Sequence, residues 1–80
     1  REDYWNIVNR VMREQGISPN QAAVVGDVYE LDLMLPAFMG IMPVLTPRPS
    51  TPTFELRAVR RDNGYVASSL MRAVRFLESI

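Results

Sequence analysis

The sequence predicts an α/β fold, a small parallel sheet with helices on its flanks. Three observations carry that prediction. Two short apolar runs, residues 22–25 and 41–46, have the length of strands. Segments with apolar residues at helical spacing precede, separate and follow them, and such alternation builds βαβ units and a parallel sheet. The first run does not alternate with polar residues, which is the pattern of a strand covered on both faces.

In chain order, Tyr4, Ile7, Val8, Val11 and Met12 fall at helical spacing among Arg10, Arg13 and Glu14, predicting an amphipathic helix over 3–15. Asp3 suits its N-cap, and Gly16 its stop, with Ile17 as the apolar residue that follows. Trp5 flanks the apolar stripe and reads as a packing residue. Ser18, Pro19 and Asn20 make a turn, and Ser18 can cap one further short turn. The strand 22–25 follows, ended by Gly26 and Asp27.

The next helix carries Pro36. Proline is tolerated in a first turn, where backbone N–H groups lack intrahelical partners. Pro36 therefore predicts a late start, between Leu31 and Leu33, with 28–30 as a loop; Gly40 ends the helix. Pro43 puts the second strand, 41–46, at its own beginning or at a sheet edge. Pro47, Pro49 and Pro52, with Ser50 and Thr51, form a loop. Thr51 or Thr53 then caps a short helix over 54–64, with Pro52 at its start and Asn63-Gly64 at its close. Tyr65 and Val66 suggest a short edge strand. Ser68 or Ser69 caps a last helix bearing Leu70, Met71, Val74 and Leu77, with Phe76 nearby. Met34, Met39, Met42 and Met71 read as core filler.

Eighty residues fit one small domain, and a chain of this size buries a modest fraction of its surface. Cysteine and histidine are absent. That excludes thiolate chemistry and removes the commonest general base and the commonest zinc ligands. A metal here would be held by oxygen, which favours Mg²⁺ or Ca²⁺. Nine arginines, with no lysine, balance nine acids, so there is no electrostatic case for nucleic acid or an anionic membrane as partner. Arg57, Arg60 and Arg61 accordingly read as a solvated face. Ser68 and Ser69 lack a base to activate them. No apolar run is long enough to span a bilayer, and the charged amino end has no signal-peptide core, so the expected location is cytoplasmic. The chain starts at Arg1 rather than Met, which suggests that 1–80 is a single fragment of a longer protein.

The acids Asp27 and Asp32 stand out. Asp27 follows the end of a strand, where open α/β sheets keep their chemistry. Asp32 comes five residues later at a helix start, with Glu30 between them. Carboxylates on such a loop can converge on one hard cation, which wants one or two of them and keeps several waters. Gly26 permits a sharp exit from the strand and close approach of a ligand. The same residues also suit a turn and a helix cap.

The segment 22–46, AAVVGDVYELDLMLPAFMGIMPVLT, resembles the fourth motif of the haloacid dehalogenase-like (HAD) hydrolase superfamily. That motif is a strand ending in Gly-Asp, four residues, a second Asp, a helix, and a Gly before the next strand; Gly26, Asp27 and Asp32 match it position by position. The lead-in helix ending at 16–19 and the tail after Val66 extend the resemblance over nearly the whole chain. It implies a partial Rossmann-like, HAD-type core belonging to a phosphohydrolase. It also implies that Asp27 is a direct Mg²⁺ ligand and Asp32 a second acid of the metal site. The substrate would be a phosphorylated small molecule, attacked by an upstream aspartate to give an aspartyl-phosphate. The chain departs from the pattern in several places. It has no Asp-x-Asp pair, and the family's phosphate-binding Ser or Thr strand has no counterpart. Arg1 lies near the place of a phosphate-holding Lys, and Val28 stands where the family often has Ser or Thr. No catalytic residue is therefore expected within this chain, and alone it is expected to be inactive.

Two other readings remain. One is a non-catalytic α/β binding or interaction module with structural acids; the other is a degenerate HAD-like domain that only binds a partner. In every case so few strands leave an open sheet edge, a site for the missing amino-terminal half or a second copy.

Overall fold

The structure is a computed structural model that describes residues 2–80, with side chains from Tyr4 onward. Arg1, near the place of the family's phosphate-holding Lys, and the side chain of Asp3, the expected N-cap, lie outside the described residues. Helix α1 (Glu2–Glu14) leads through a short 3₁₀ turn (Pro19–Gln21) into strand β1 (Ala23–Gly26). A π-helical turn (Tyr29–Leu33) runs into the short helix α2 (Met34–Phe38). Strand β2 (Met42–Leu45), helix α3 (Thr53–Arg61), strand β3 (Tyr65–Val66) and helix α4 (Leu70–Glu78) complete the chain.

The three strands form one parallel sheet in the order β1-β2-β3, the α/β architecture that the alternating pattern predicts. Side chains leave the sheet with period two. Val24, Leu45 and Val66 join Tyr29, Leu33 and Val59 on the face covered by the π-turn and α3. Val25, Val44 and Tyr65 join Ala67 and Ala73 on the face covered by α4. Among the described residues no helix is long and apolar enough to cross a membrane.

The burial of β1 departs from the expectation, and Pro43 takes the first of its two expected places, at the start of a strand. The run expected to be covered on both faces is an edge: Ala23 is exposed and the rest of β1 half-buried. The strand marked by Pro43 is central, with Pro43, Val44 and Leu45 buried. Register explains how the centre accepts a proline. Met42 and Thr46 donate their N–H groups to β1, so Pro43, at the odd position, faces the other side, and β3 does not begin pairing until Val44. The missing N–H therefore points past the start of β3, at the beginning of its own strand, where proline is admitted.

Pro36 also has a structural consequence. Its ring would collide with the carbonyl four residues back, and it has no N–H to donate. The chain widens into a π-turn, closed by Met34 N–H on the Tyr29 carbonyl, and α2 starts afresh at Met34 with Pro36 in its first turn. The helix thus starts later than Leu31–Leu33, and Tyr29 and Glu30, expected in a loop, belong to the π-turn.

Three helices end alike. The amide of Ile17 reaches Met12 O, that of Ile41 reaches Pro36 O and that of Gly64 reaches Val59 O, each beside a second, shorter-range bond, which is the Schellman closure. In the last of these Asn63, not Gly64, takes the left-handed position, with φ 59°. At α3 neither expected threonine caps. Pro52 occupies the N-cap position, and Thr51 Oγ1 instead accepts the Arg48 N–H at 2.8 Å. Ser69 does cap α4, accepting from Arg72 N.

Met34 and Met71 are 49% and 61% exposed rather than core filler. The apolar residues of α1 and α4 are likewise only partly used: Tyr4, Ile7, Val11, Leu70, Met71 and Val74 are all exposed. Met12 anchors α1, and Ala73 the other helix. Trp5 packs edge-on against Tyr4, with ring centroids 5.1 Å apart.

Gly64 is required by close approach. A Cβ there would overlap the Pro43 carbonyl oxygen and lie 2.8 Å from Val59 Cγ1. Gly64→Ala is expected to lower the unfolding free energy by about 2 kcal/mol or more, as steric insertions against fixed backbone do. Urea denaturation monitored by the Trp5 fluorescence checks it, and an unchanged midpoint would contradict this packing.

Candidate metal centre

The candidate site lies at the carboxyl ends of β1 and β2. Gly26 ends β1, and its carbonyl is fixed from β2: Thr46 donates its N–H at 2.8 Å and its hydroxyl at 3.3 Å. The other side of Gly26 is covered by Asp32. A Cβ on Gly26 would lie 2.5 Å from Asp32 Cβ and 3.0 Å from its Oδ2. The π-turn thus folds the second acid back onto the strand end that carries the first.

Asp32 is half-buried and tied reciprocally to Val28. Its Oδ2 accepts the Val28 N–H at 3.2 Å, while its own N–H donates to Val28 O at 2.9 Å. One free amide of the turn is satisfied in the manner of a capping box. The next amide, Tyr29 N–H, is satisfied from a distance: Glu55 Oε1 of α3 accepts it at 2.7 Å, and Glu55 is buried. Two carboxylates therefore face the amino end of this turn, where the free N–H groups favour negative charge.

Asp27 is placed differently. It is exposed, and its Oδ2 lies 3.7 Å from Arg48 Nε, with both side chains more than half exposed. A pair so open to water contributes about 0–1 kcal/mol. Glu30 is exposed and lines a separate groove of about 420 Å³ with Tyr29, Met34, Phe54, Arg57 and Arg61. Asp32 lines another, of about 490 Å³, with Tyr4, Trp5, Val24, Val25 and Leu31, beside the free edge of β1.

The donor set suits a hard cation. All available ligands are oxygen, Asp27 already faces a positive group, and a carboxylate that accepts one hydrogen bond, as Asp32 does, keeps further lone pairs. Among the described residues no three acidic side chains gather closely enough to enclose an ion. Asp27 and Asp32 are at most two ligands, so a bound ion would need water or other groups to complete its shell. Arg57, Arg60 and Arg61 are exposed, and Arg61 pairs with Asp62.

Sequence reasoning missed Glu55 and Thr46 as supports of the site, and Arg48 as the partner of Asp27. Glu55 occupies the third position of α3, where a glutamate normally reaches back within its own helix; nothing local signals its reach to Tyr29. It also missed the link from Tyr29 Oη to Asp62, with Arg61 donating to the same phenol at 3.2 Å. Burial first, then the hydrogen bond and charge of Asp62, push the Tyr29 hydroxyl above the ordinary phenol value.

Two expectations follow from these bonds. Glu55→Ala leaves the Tyr29 amide unpaired and should cost about 1–3 kcal/mol, whereas Glu55→Gln, which keeps an acceptor oxygen, should cost less; chemical denaturation of both variants decides. Tyr29→Phe removes the bond to Asp62 and should cost about 1 kcal/mol near pH 8. Because the folded state holds the Tyr29 proton more tightly than the unfolded chain does, this contribution is complete below about pH 10 and is lost as pH rises through the higher folded value. The stability gap between wild type and Tyr29→Phe should therefore close in strong alkali; a gap that widens with pH would refute the assignment.

No protein-family model, curated protein or solved structure matches this chain.

Proposed function

We propose that this chain is the carboxyl-terminal segment of a cytoplasmic HAD-like phosphohydrolase. It contributes Mg²⁺-binding acids, Asp27 and Asp32, to phosphate-ester hydrolysis through an aspartyl-phosphate formed on an upstream aspartate. The supporting observation is the packing of Asp32 onto Gly26, which gathers the second acid to the strand end that bears Asp27. A bound Mg²⁺ would neutralise phosphoryl charge. The chain's own part is to hold two carboxylates on a sheet that fixes their backbone. The open edge of β1, with Asp32 in the adjoining groove, suits a further strand of the same protein.

A second reading has its own support. Asp32 closes the π-turn through Val28 and Asp27 pairs with Arg48, so both acids have structural partners in a non-catalytic binding module.

Magnesium separates the two. Titrating the 80-residue chain with Mg²⁺ while following amide NMR shifts should move Gly26, Asp27 and Val28 selectively, and Asp27→Ala should weaken the response at least about tenfold. Selective shifts would discount the structural reading, and their absence in wild type would discount the metal reading. In either case this chain alone should show no turnover of p-nitrophenyl phosphate. Turnover lost in Asp27→Ala would mean that the nucleophile lies within these residues after all.

A further inference from the structure

We propose that Arg48 is an anion-binding residue of the Asp27 site, holding a phosphate-type oxyanion next to the carboxylate that takes the cation. The inference rests on the phosphohydrolase reading above and adds to it a residue that the acidic motif does not contain.

Placement is the first argument. Arg48 follows β2 by three residues, and its guanidinium reaches across the sheet end to Asp27 beyond β1. Ligands of open parallel sheets bind in this crevice outside the strand carboxyl ends.

The second argument is backbone rigidity. Pro47 and Pro49 flank Arg48. A tight turn through Pro49 and Ser50 is closed twice, by Arg48 N–H on Thr51 Oγ1 at 2.8 Å and by Thr51 N–H on Arg48 O at 3.0 Å. The loop is thus held by its own turn and does not need the Arg48 side chain to fix it.

The third argument is that the side chain is available. Its contact with Asp27 is long, 3.7 Å, and both groups are more than half exposed. Such a pair is easily exchanged for other partners. A cation at Asp27 would compete with the guanidinium for that carboxylate. Its planar fork of donors then matches two oxygens of a phosphate or phosphate ester.

The test uses the 80-residue chain as wild type, Arg48→Gln, Arg48→Lys and Asp27→Asn. Inorganic phosphate and phenyl phosphate are titrated side by side, with and without Mg²⁺, which separates free anion from ester. Binding is read from the amide shifts of Thr46, Arg48, Ser50 and Thr51, and Mg²⁺ affinity is measured separately. Arg48→Gln should weaken phosphate or ester binding about tenfold, with Arg48→Lys intermediate. The same Gln variant should bind Mg²⁺ as tightly as wild type, or up to about fivefold more tightly, because a competitor for Asp27 is gone. Asp27→Asn should lose the Mg²⁺ response. The proposal is overturned if Arg48→Gln binds both anions like wild type, or if wild type binds neither under any condition. Should wild type bind an anion through Arg48 yet ignore Mg²⁺, the metal reading fails while the assignment of Arg48 stands.

Discussion

Everything at the carboxyl end of this sheet depends on the contact between Asp32 and Gly26. The carboxylate rests where a side chain on residue 26 would be, and from there it accepts the Val28 amide. This closes the turn between β1 and α2 over the strand end, with Asp27 between the two tied residues. Any side chain at 26 would push the turn away from the strand. The residue type is therefore dictated by space rather than by backbone conformation, since Gly26 has no positive φ.

The turn is then held against the core from outside. Glu55 takes the Tyr29 amide, and the Tyr29 phenol is bound to Asp62, so the two ends of α3 grip one residue of the π-turn. The Tyr29 ring and Leu33 pack on Leu45 and Val59 between these polar ties. Buried polar groups need partners, and their removal leaves unmet hydrogen-bonding capacity; here that need couples the position of the site to a helix more than twenty residues away in sequence. The opposite face is built on Val44, Ala67 and Ala73.

Periodicity made the order of helices and strands legible, along with their parallel pairing, because those properties arise from local apolar spacing. Spacing also allowed Asp32 to return to the end of β1, and it packs on Gly26 there, while the Asp27 carboxylate lies against Arg48. The ranking of β1 and β2 within the sheet was not. An apolar run records what a strand can bury, while its actual burial depends on which neighbours are present, and β1 has one. Pro43 allowed a strand start or an edge, and the strand start holds: a missing N–H matters only on the side where a partner waits, and register decides that side. Pro36 signalled a disturbed helix start correctly, but its resolution as a π-turn depended on the tertiary ties of Tyr29. Glu55 and Arg48 were invisible because their partners lie far away in sequence.

The structural bonds of the two acids do not compete equally with metal binding. Asp32 gives one oxygen to a backbone amide, a bond that orients the carboxylate and leaves its remaining lone pairs unassigned. Orienting bonds of this kind accompany metal ligands as readily as they accompany helix caps. Asp27 has only a long, hydrated contact with a guanidinium, which a divalent ion with twice the charge can outweigh at the same carboxylate. Under the proposed metal reading, the acid with the looser tie, Asp27, would touch the ion, and Asp32 would serve as the second, supporting group.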